Sequence, residues 1–138
     1  MAVPAWYKVY RNSRSFASVT RAVTNTTNLG TEVHNIQGCD HISAFWVQVT
    51  AVSGTAESTV VTIQHSPDGG VTWLDGDASA ALTLAGGVQT VKIVATIDYF
   101  HLIRVKDVVA NTTTPSITYV VWYGFDKASG GLSPTYGT

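Results

Sequence analysis

The chain contains a single cysteine, Cys39, among its 138 residues. One thiol cannot form an internal disulfide, so the fold depends on packing and hydrogen bonds, and we expect assembly in a reducing cytoplasm. Charged residues are also scarce, at 12% of the chain with a net charge of −1, whereas about a quarter is usual for soluble domains. We therefore expect neighbouring subunits to cover part of the surface.

Long apolar runs are absent as well, and none approaches the ~20 residues that a membrane-spanning helix needs. The first twenty residues carry three cations but no continuous apolar block, so the sequence predicts neither a secretory signal nor a membrane partner. A chain of this length buries about two-thirds of its unfolded surface. That is enough for the core of one domain and too little for two.

Residues that favour helices are few. Leu, Glu, Lys, Gln and Met together number 17, whereas Val, Thr and Ile number 45. Side chains branched at Cβ are stiff and pack well on a pleated surface, and no window holds apolar residues at helical spacing over the length of a helix. The composition predicts an all-β domain.

Short alternating segments between turn residues predict eight or nine strands. They span 5–10, 16–23, 31–36, 41–52, 57–65, 71–74, 88–97, 99–106 and 116–125. This spacing is typical of a β-sandwich or barrel, and about eight antiparallel strands in two sheets favour a jelly roll. The last segment is uncharged and rich in aromatic residues, so we expect a central strand, covered on both faces, or one capped by another subunit.

The two ends of the chain differ from its middle. Residues 1–21 carry a local charge of +4 and predict a basic N-terminal arm with one or more edge strands, whereas residues 22–138 carry −5. We assign 22–126 to a single β-sandwich domain and 127–138, rich in Gly, Ser, Pro and Thr, to a flexible tail. We expect both extended arms to need a partner to become ordered.

The most specific local motif matches S-x-D-x-G-x-T-W and consists of Ser66, Asp68, Gly70, Thr72 and Trp73. It resembles an Asp box. The resemblance implies a β-hairpin turn whose Asp accepts backbone hydrogen bonds, whose Gly supplies an unusual φ and whose Trp packs on its neighbours. Sialidases carry such boxes, but their propellers need at least four blades, which this chain is too short to supply. We therefore expect a structural hairpin.

Residues with catalytic or ligating chemistry are scattered. Cys39 and His41 lie close in sequence, and further histidines are His34, His65 and His101. These spacings match no zinc site, and no third group orients a Cys–His pair. We predict no catalytic residue, metal site or cofactor. Nucleic acid is not expected as a partner, because the basic arm offers few phosphate contacts and the rest of the chain is acidic.

Aromatic residues support an alternative function, a carbohydrate-binding module that uses a stacking platform. The candidates are Trp46, Trp73, Trp122, Tyr119 and Tyr123, with Trp6 and Tyr7. Because Tyr119, Tyr123 and Phe125 share one face of a strand and Trp122 occupies the other, we favour a core or subunit interface for this strand.

The sequence resembles small virion proteins of tailed bacteriophages. The resemblance lies in three runs, at residues 46–55, 61–73 and 100–105, and in the pattern between them. The similarity is greatest to jelly-roll cement, or decoration, proteins of phage capsids. It implies a structural role without catalysis. Homodimers assembled in the host cytoplasm would bind the outer surface of the capsid and bridge major capsid subunits, with many identical contacts reinforcing one another.

The charge difference between the arm and the rest of the chain indicates where a capsid would be contacted. The candidate contact residues are Trp6, Tyr7, Lys8, Arg11, Arg14 and Arg21 in the arm and Tyr136 in the tail.

Overall fold

The structure is a computed structural model that describes residues 12–22, 26–40, 42–53, 58–83, 87–110 and 116–127. Within these ranges the chain forms twelve β-strands and no helix. Sheet A contains β1 (Asn12–Ser15), β2 (Val19–Arg21), β5 (Cys39–Asp40), β6 (Ala44–Ser53), β10 (Gln89–Val94) and β12 (Ser116–Lys127). Sheet B contains β3 (Thr26–Leu29), β4 (His34–Asn35), β7 (Ser58–Ser66), β8 (Leu74–Ala78), β9 (Leu82–Thr83) and β11 (Leu102–Ala110).

The short strands share positions in their sheets. β1, β2 and β5 all pair with β12, β3 and β4 both pair with β11, and β8 and β9 both pair with β7. Sheet A therefore runs β1/β2–β12–β6–β10, and sheet B runs β3/β4–β11–β7–β8/β9. If a pair of short strands counts as one position, the chain has eight positions in sequence order. The first position pairs with the eighth and the second with the seventh, as in a jelly roll. The predicted all-β antiparallel sandwich is confirmed, but it has twelve strands rather than about eight, because several sheet positions are shared by two short strands.

The core lies between the inner faces of the two sheets. Alternate residues of the long strands point inward, and this period of two explains why the apolar pattern of the sequence located those strands. The largest fully buried side chains are Phe45, Val47, Val49, Val61, Ile63, Leu82, Ile103, Val109, Ile117, Tyr119, Val121 and Tyr123.

Strand β12 lies inside its sheet, between β6 on one side and β1 and β2 on the other. Of the two predicted alternatives, a central strand or one capped by another subunit, the structure has the central strand, so β12 has no exposed edge that needs capping. The sequence predicts that both faces of β12 are covered, but the described chain covers one of them. The inner face is buried, but Trp122 on the outer face is 40% exposed, because no other described part of the chain packs over that face.

Several predicted strand limits are wrong. Of the predicted strand 71–74, only Leu74 lies in a strand, as the first residue of β8, and residues 71–73 belong to the preceding turn. In place of the predicted strand 99–106, the chain forms β11 from Leu102 to Ala110. β3 was not predicted as a strand. The predicted strand 5–10 lies outside the described residues, as do the first eleven residues of the predicted arm and all but the first residue of the predicted tail. Residues 12–21 of that arm contribute β1 and β2 at the edge of sheet A.

Candidate functional site

The outer face of sheet A is a broad surface whose rows follow from the strand register. One row crosses four strands through Ser15, Trp122, Trp46 and Lys92. The neighbouring positions are occupied by Ser13, Thr20, Gln48, Thr50, Thr90, Val94, Thr118, Val120 and Gly124. Phe45 and Val47 point into the core, so Trp46 between them points outward.

Two tryptophans stand side by side at the centre of this face. Trp46 on β6 and Trp122 on β12 are directly paired in the register. The Cβ atoms of two residues paired in this way lie about 5 Å apart. The indole nitrogen of Trp122 donates a 3.1 Å hydrogen bond to Gln48 Oε1. This bond satisfies the polar edge of the ring and leaves its apolar surface for contact.

The face carries little charge. Among the outward positions named above, Lys92 is the one that is charged, and the others are Ser, Thr, Gln, Val, Gly and Trp. A surface of this composition can bind another protein surface at low cost, because few charges on it would need a counter-ion when buried.

Arg21, a predicted capsid-contact residue, is engaged inside the protein. Its Nε donates a 2.8 Å hydrogen bond to Oδ2 of Asp107. The same carboxylate accepts hydrogen bonds from Asn28 Nδ2 at 2.7 Å and from the hydroxyl of Tyr119 at 2.5 Å. Burial and the neighbouring Asp107 raise the pKa of Tyr119 far above its ordinary value.

The sequence contained a signal for this network that was missed. Asp107 occupies the inward register of β11, in the series Ile103, Val105, Asp107, Val109, and only 1% of it is exposed. A carboxylate at an inward position requires a buried partner.

Arg14, another predicted contact residue, lies at the end of the sandwich near β4. It is exposed, but Nη1 donates a 2.8 Å hydrogen bond to the carbonyl of Asn35, and its guanidinium carbon lies 5.6 Å from the centre of the Phe125 ring. The contact with Tyr123 raises the pKa of Arg14. The other predicted contact residues (Trp6, Tyr7, Lys8, Arg11 and Tyr136) lie outside the described residues.

The Asp-box motif forms the turn between β7 and β8. Asp68 Oδ1 accepts hydrogen bonds from the amide of Thr72 at 2.7 Å and from the hydroxyl of Ser66 at 2.9 Å. These bonds lower the pKa of the exposed Asp68 carboxyl group. Gly70 adopts φ +95°, which glycine reaches without a Cβ penalty, and its carbonyl accepts a 3.0 Å bond from the Trp73 indole nitrogen.

The candidate aromatic residues do not form a single platform. Tyr119 and Tyr123 are buried in the core, and Trp73 lies on the β7–β8 turn of sheet B. Of the candidates that the structure describes, Trp46 and Trp122 are the two that share an outward face. Trp6 and Tyr7 lie outside the described residues.

The three described histidines have different partners and surroundings. His34 bonds to Tyr123 and Glu32, His65 accepts a bond from the amide of Phe100, and His101 is exposed. Cys39 is partly buried, and His41 lies outside the described residues. Across the ranges that the structure describes, no three His, Cys, Asp or Glu side chains are grouped as a metal site requires.

Comparison with protein-family models gives no match, and a search of curated proteins finds no similar sequence. In the described portion of the chain, no helix has the length and apolar character needed to cross a membrane.

Proposed function

We propose that this chain is a structural virion protein, a cement or decoration protein that binds the outer surface of a phage capsid and bridges major capsid subunits. The observation that carries the proposal is the outer face of sheet A, with its paired tryptophans and the uncharged residues that surround them. Trp is enriched in the centres of protein interfaces and charged residues are depleted there. The resemblance to jelly-roll cement proteins supplies the class of partner.

The rest of the proposal concerns assembly. The chain acts as a homodimer on the capsid lattice, because its low charge content favours surfaces that are covered by other subunits. The edge-strand argument for a dimer does not apply, since β12 is central. The basic arm adds contacts to an acidic shell, and repetition on the lattice multiplies weak contacts into stable attachment.

The proposal is tested by asking whether the protein belongs to a particle. Tailed-phage particles produced from the genome that encodes this chain are purified, and the ratio of this protein to the major capsid protein is measured by quantitative mass spectrometry. We expect a fixed stoichiometric ratio and cryo-electron microscopy density for the jelly roll on the outer shell. Particles that contain none of it would contradict the proposal.

Variants then locate the contact. Trp122→Ser is expected to weaken rebinding to stripped shells, whereas Val108→Ser, at an exposed position on the outer side of sheet B, is the matched control. A truncation that tests the arm removes only residues 1–11, because Asn12–Ser15 pair with β12. Equal rebinding of Trp122→Ser and the unchanged protein would exclude sheet A as the contact face.

The paired Trp46 and Trp122 also favour the second candidate, a carbohydrate-binding module of a phage fibre or accessory domain. Adjacent aromatic rings on a flat face suit stacking against sugars. A glycan array probed with the isolated protein separates the two functions. Binding that is lost in Trp122→Ser supports the module, whereas absence of binding supports the capsid role.

A further inference from the structure

A second surface feature lies on the opposite side of the sandwich, beside the β7–β8 turn. It is a shallow depression of about 480 Å³ on the outer side of sheet B. Its wall includes Thr31, Val33, Gly70, Trp73, Leu102 and Arg104. The volume is in the range of small-molecule sites.

Arg104 is the cation of this depression, and no acidic side chain in the described part of the chain pairs with it. Its Nε donates a 2.8 Å hydrogen bond to the neutral Gln64 Oε1. The nearby Asp75 is instead bound by Lys106, at 2.9 Å. None of the three ion pairs among the described residues includes Arg104. Burial, without a compensating carboxylate, lowers its pKa.

The guanidinium is held in a fixed position. Its central carbon lies 4.3 Å from the centre of the Trp73 ring, so one face of the group is stacked. The bond from Nε to Gln64 fixes the rotation of the guanidinium group. The N–H groups of its two terminal nitrogens remain for a ligand. Two parallel N–H groups of this kind match the two oxygens of a carboxylate.

Apolar surface and open backbone surround this cation. Leu102 and Val33 are beside it, and the indole nitrogen of Trp73 is already bonded to Gly70. Gly69 and Gly70 both have positive φ, and a Cβ placed on Gly69 would meet no atom within 4 Å. The turn therefore leaves room for a ligand to approach its backbone.

We propose that this depression binds a sugar that carries a carboxylate, such as a uronic acid. The carboxylate pairs with the terminal nitrogens of Arg104, and the apolar face of the ring packs beside Trp73 and Leu102. An inorganic anion would use the cation and leave the apolar wall exposed. An acidic peptide could not add as a strand, because β11 is paired on both sides at this point. The site is independent of the capsid proposal.

The test uses the full chain labelled with ¹⁵N and follows the Trp73 indole and Arg104 Nε signals by NMR. Methyl glucuronide is titrated first, then methyl glucoside, then inorganic phosphate. We expect saturable shifts of both signals with glucuronide, with a Kd of ~1 mM. Glucoside should bind about tenfold more weakly, since it lacks the charge-assisted bonds, and phosphate should move the Arg104 signal alone.

Variants assign the binding to the cation. Arg104→Gln should lose the glucuronide response. Arg104→Lys should retain only a weak response, because an ammonium group lacks the two parallel N–H donors of a guanidinium group. Lys106→Gln, which removes the neighbouring paired cation, is the matched control and should bind as the unchanged protein does. Amide spectra of each variant establish that it remains folded.

Four results would overturn the proposal. They are absence of saturable shifts with glucuronide, equal affinity for glucoside, equal shifts of both signals with phosphate alone, and unchanged binding by folded Arg104→Gln. A short glutamate peptide that binds as tightly as glucuronide would reassign the depression to acidic proteins. The capsid proposal is unaffected by each of these outcomes, because its test is the composition of the particle.

Discussion

The ring of His65 lies inside the sandwich, where its protonation is coupled to folding. The residue is 6% exposed, its Nδ1 accepts a 3.0 Å hydrogen bond from the Phe100 amide, and its ring contacts the rings of Tyr99 and Phe100. Burial lowers the pKa of His65, and the attraction of Asp77 offsets this only in part. The folded state therefore favours the neutral ring.

This environment predicts a loss of stability in mild acid. Since the folded pKa lies below the ordinary value of 6.5, the unfolded chain binds the proton first as the pH falls. The contribution of His65 is fully present above that value and is lost as the pH falls through the folded pKa. We expect the free energy of unfolding in urea to decrease from about pH 7.5 to about pH 5.5.

The variant His65→Gln keeps an acceptor for the Phe100 amide but cannot titrate. Its free energy of unfolding should therefore decrease less between about pH 7.5 and about pH 5.5 than that of the unchanged protein. His101→Gln, at an exposed position, is the control and should follow the unchanged protein. Equal pH dependence in His65→Gln and the unchanged protein would show that His65 does not cause the loss.

At the scale of elements, the start of the described chain is joined to sheet B by Phe16. The residue separates β1 from β2, and its amide still donates a 2.9 Å bond to Val121. Its ring is 5% exposed and stacks on His34 of β4 at 3.8 Å. The adjacent amide of Ala17 donates a 2.8 Å bond to Glu32, so this short segment contacts both sheets.

We expect Phe16→Ala to lower the free energy of unfolding by about 3–5 kcal/mol, because it leaves a cavity where a stacked ring was buried. Val88→Ala, at a position that is 70% exposed, should change it by less than about 0.5 kcal/mol. Urea denaturation followed by circular dichroism gives both values. A small effect of Phe16→Ala would mean that the N-terminal strands are dispensable for the sandwich.

The elements also show what the sequence could predict. β6, β7 and β12 are long and alternate in polarity, so the predictions located all three. β8 has the sequence LDGDA and no β propensity. It is held by its neighbours, since Tyr99 donates to Asp77, and a Cβ on Gly76 would lie 2.6 Å from the Tyr99 hydroxyl. β3 and β4 are short edge strands defined by pairing with β11.

The candidate site was predictable in part. Alternation along residues 46–50 and 88–94 places Trp46 and Lys92 on outward positions, but only the register reveals that they share a row with Trp122. The cation–π pair of Trp73 and Arg104 joins residues far apart in sequence. Such cross-strand neighbours depend on sheet order, which no local pattern contains.

In the whole molecule, the two sheets are joined by a polar contact as well as by apolar packing. Asp107 of sheet B bonds to Arg21 and Tyr119 of sheet A, and to Asn28 within sheet B. The jelly-roll winding makes this possible, because the first and second strand positions pair with the last and the seventh. The network lies near one open side of the sandwich, where a cleft of about 200 Å³ separates β2 from the chain that follows β3.

We expect Asp107→Asn to lower the free energy of unfolding by about 2–3 kcal/mol, because the side-chain amide retains the shape but loses the charge that three donors share. Arg21 keeps partial contact with water, with 24% of its side chain exposed, which limits the loss. Asp98→Asn, at an exposed site, is the control and should have little effect in the same urea titration.

Tyr119→Phe should cost about 1–2 kcal/mol, and the double variant should cost less than the sum, since both changes disrupt one network. Additive effects, or an unaltered stability of Asp107→Asn, would show that apolar packing alone holds the sheets together.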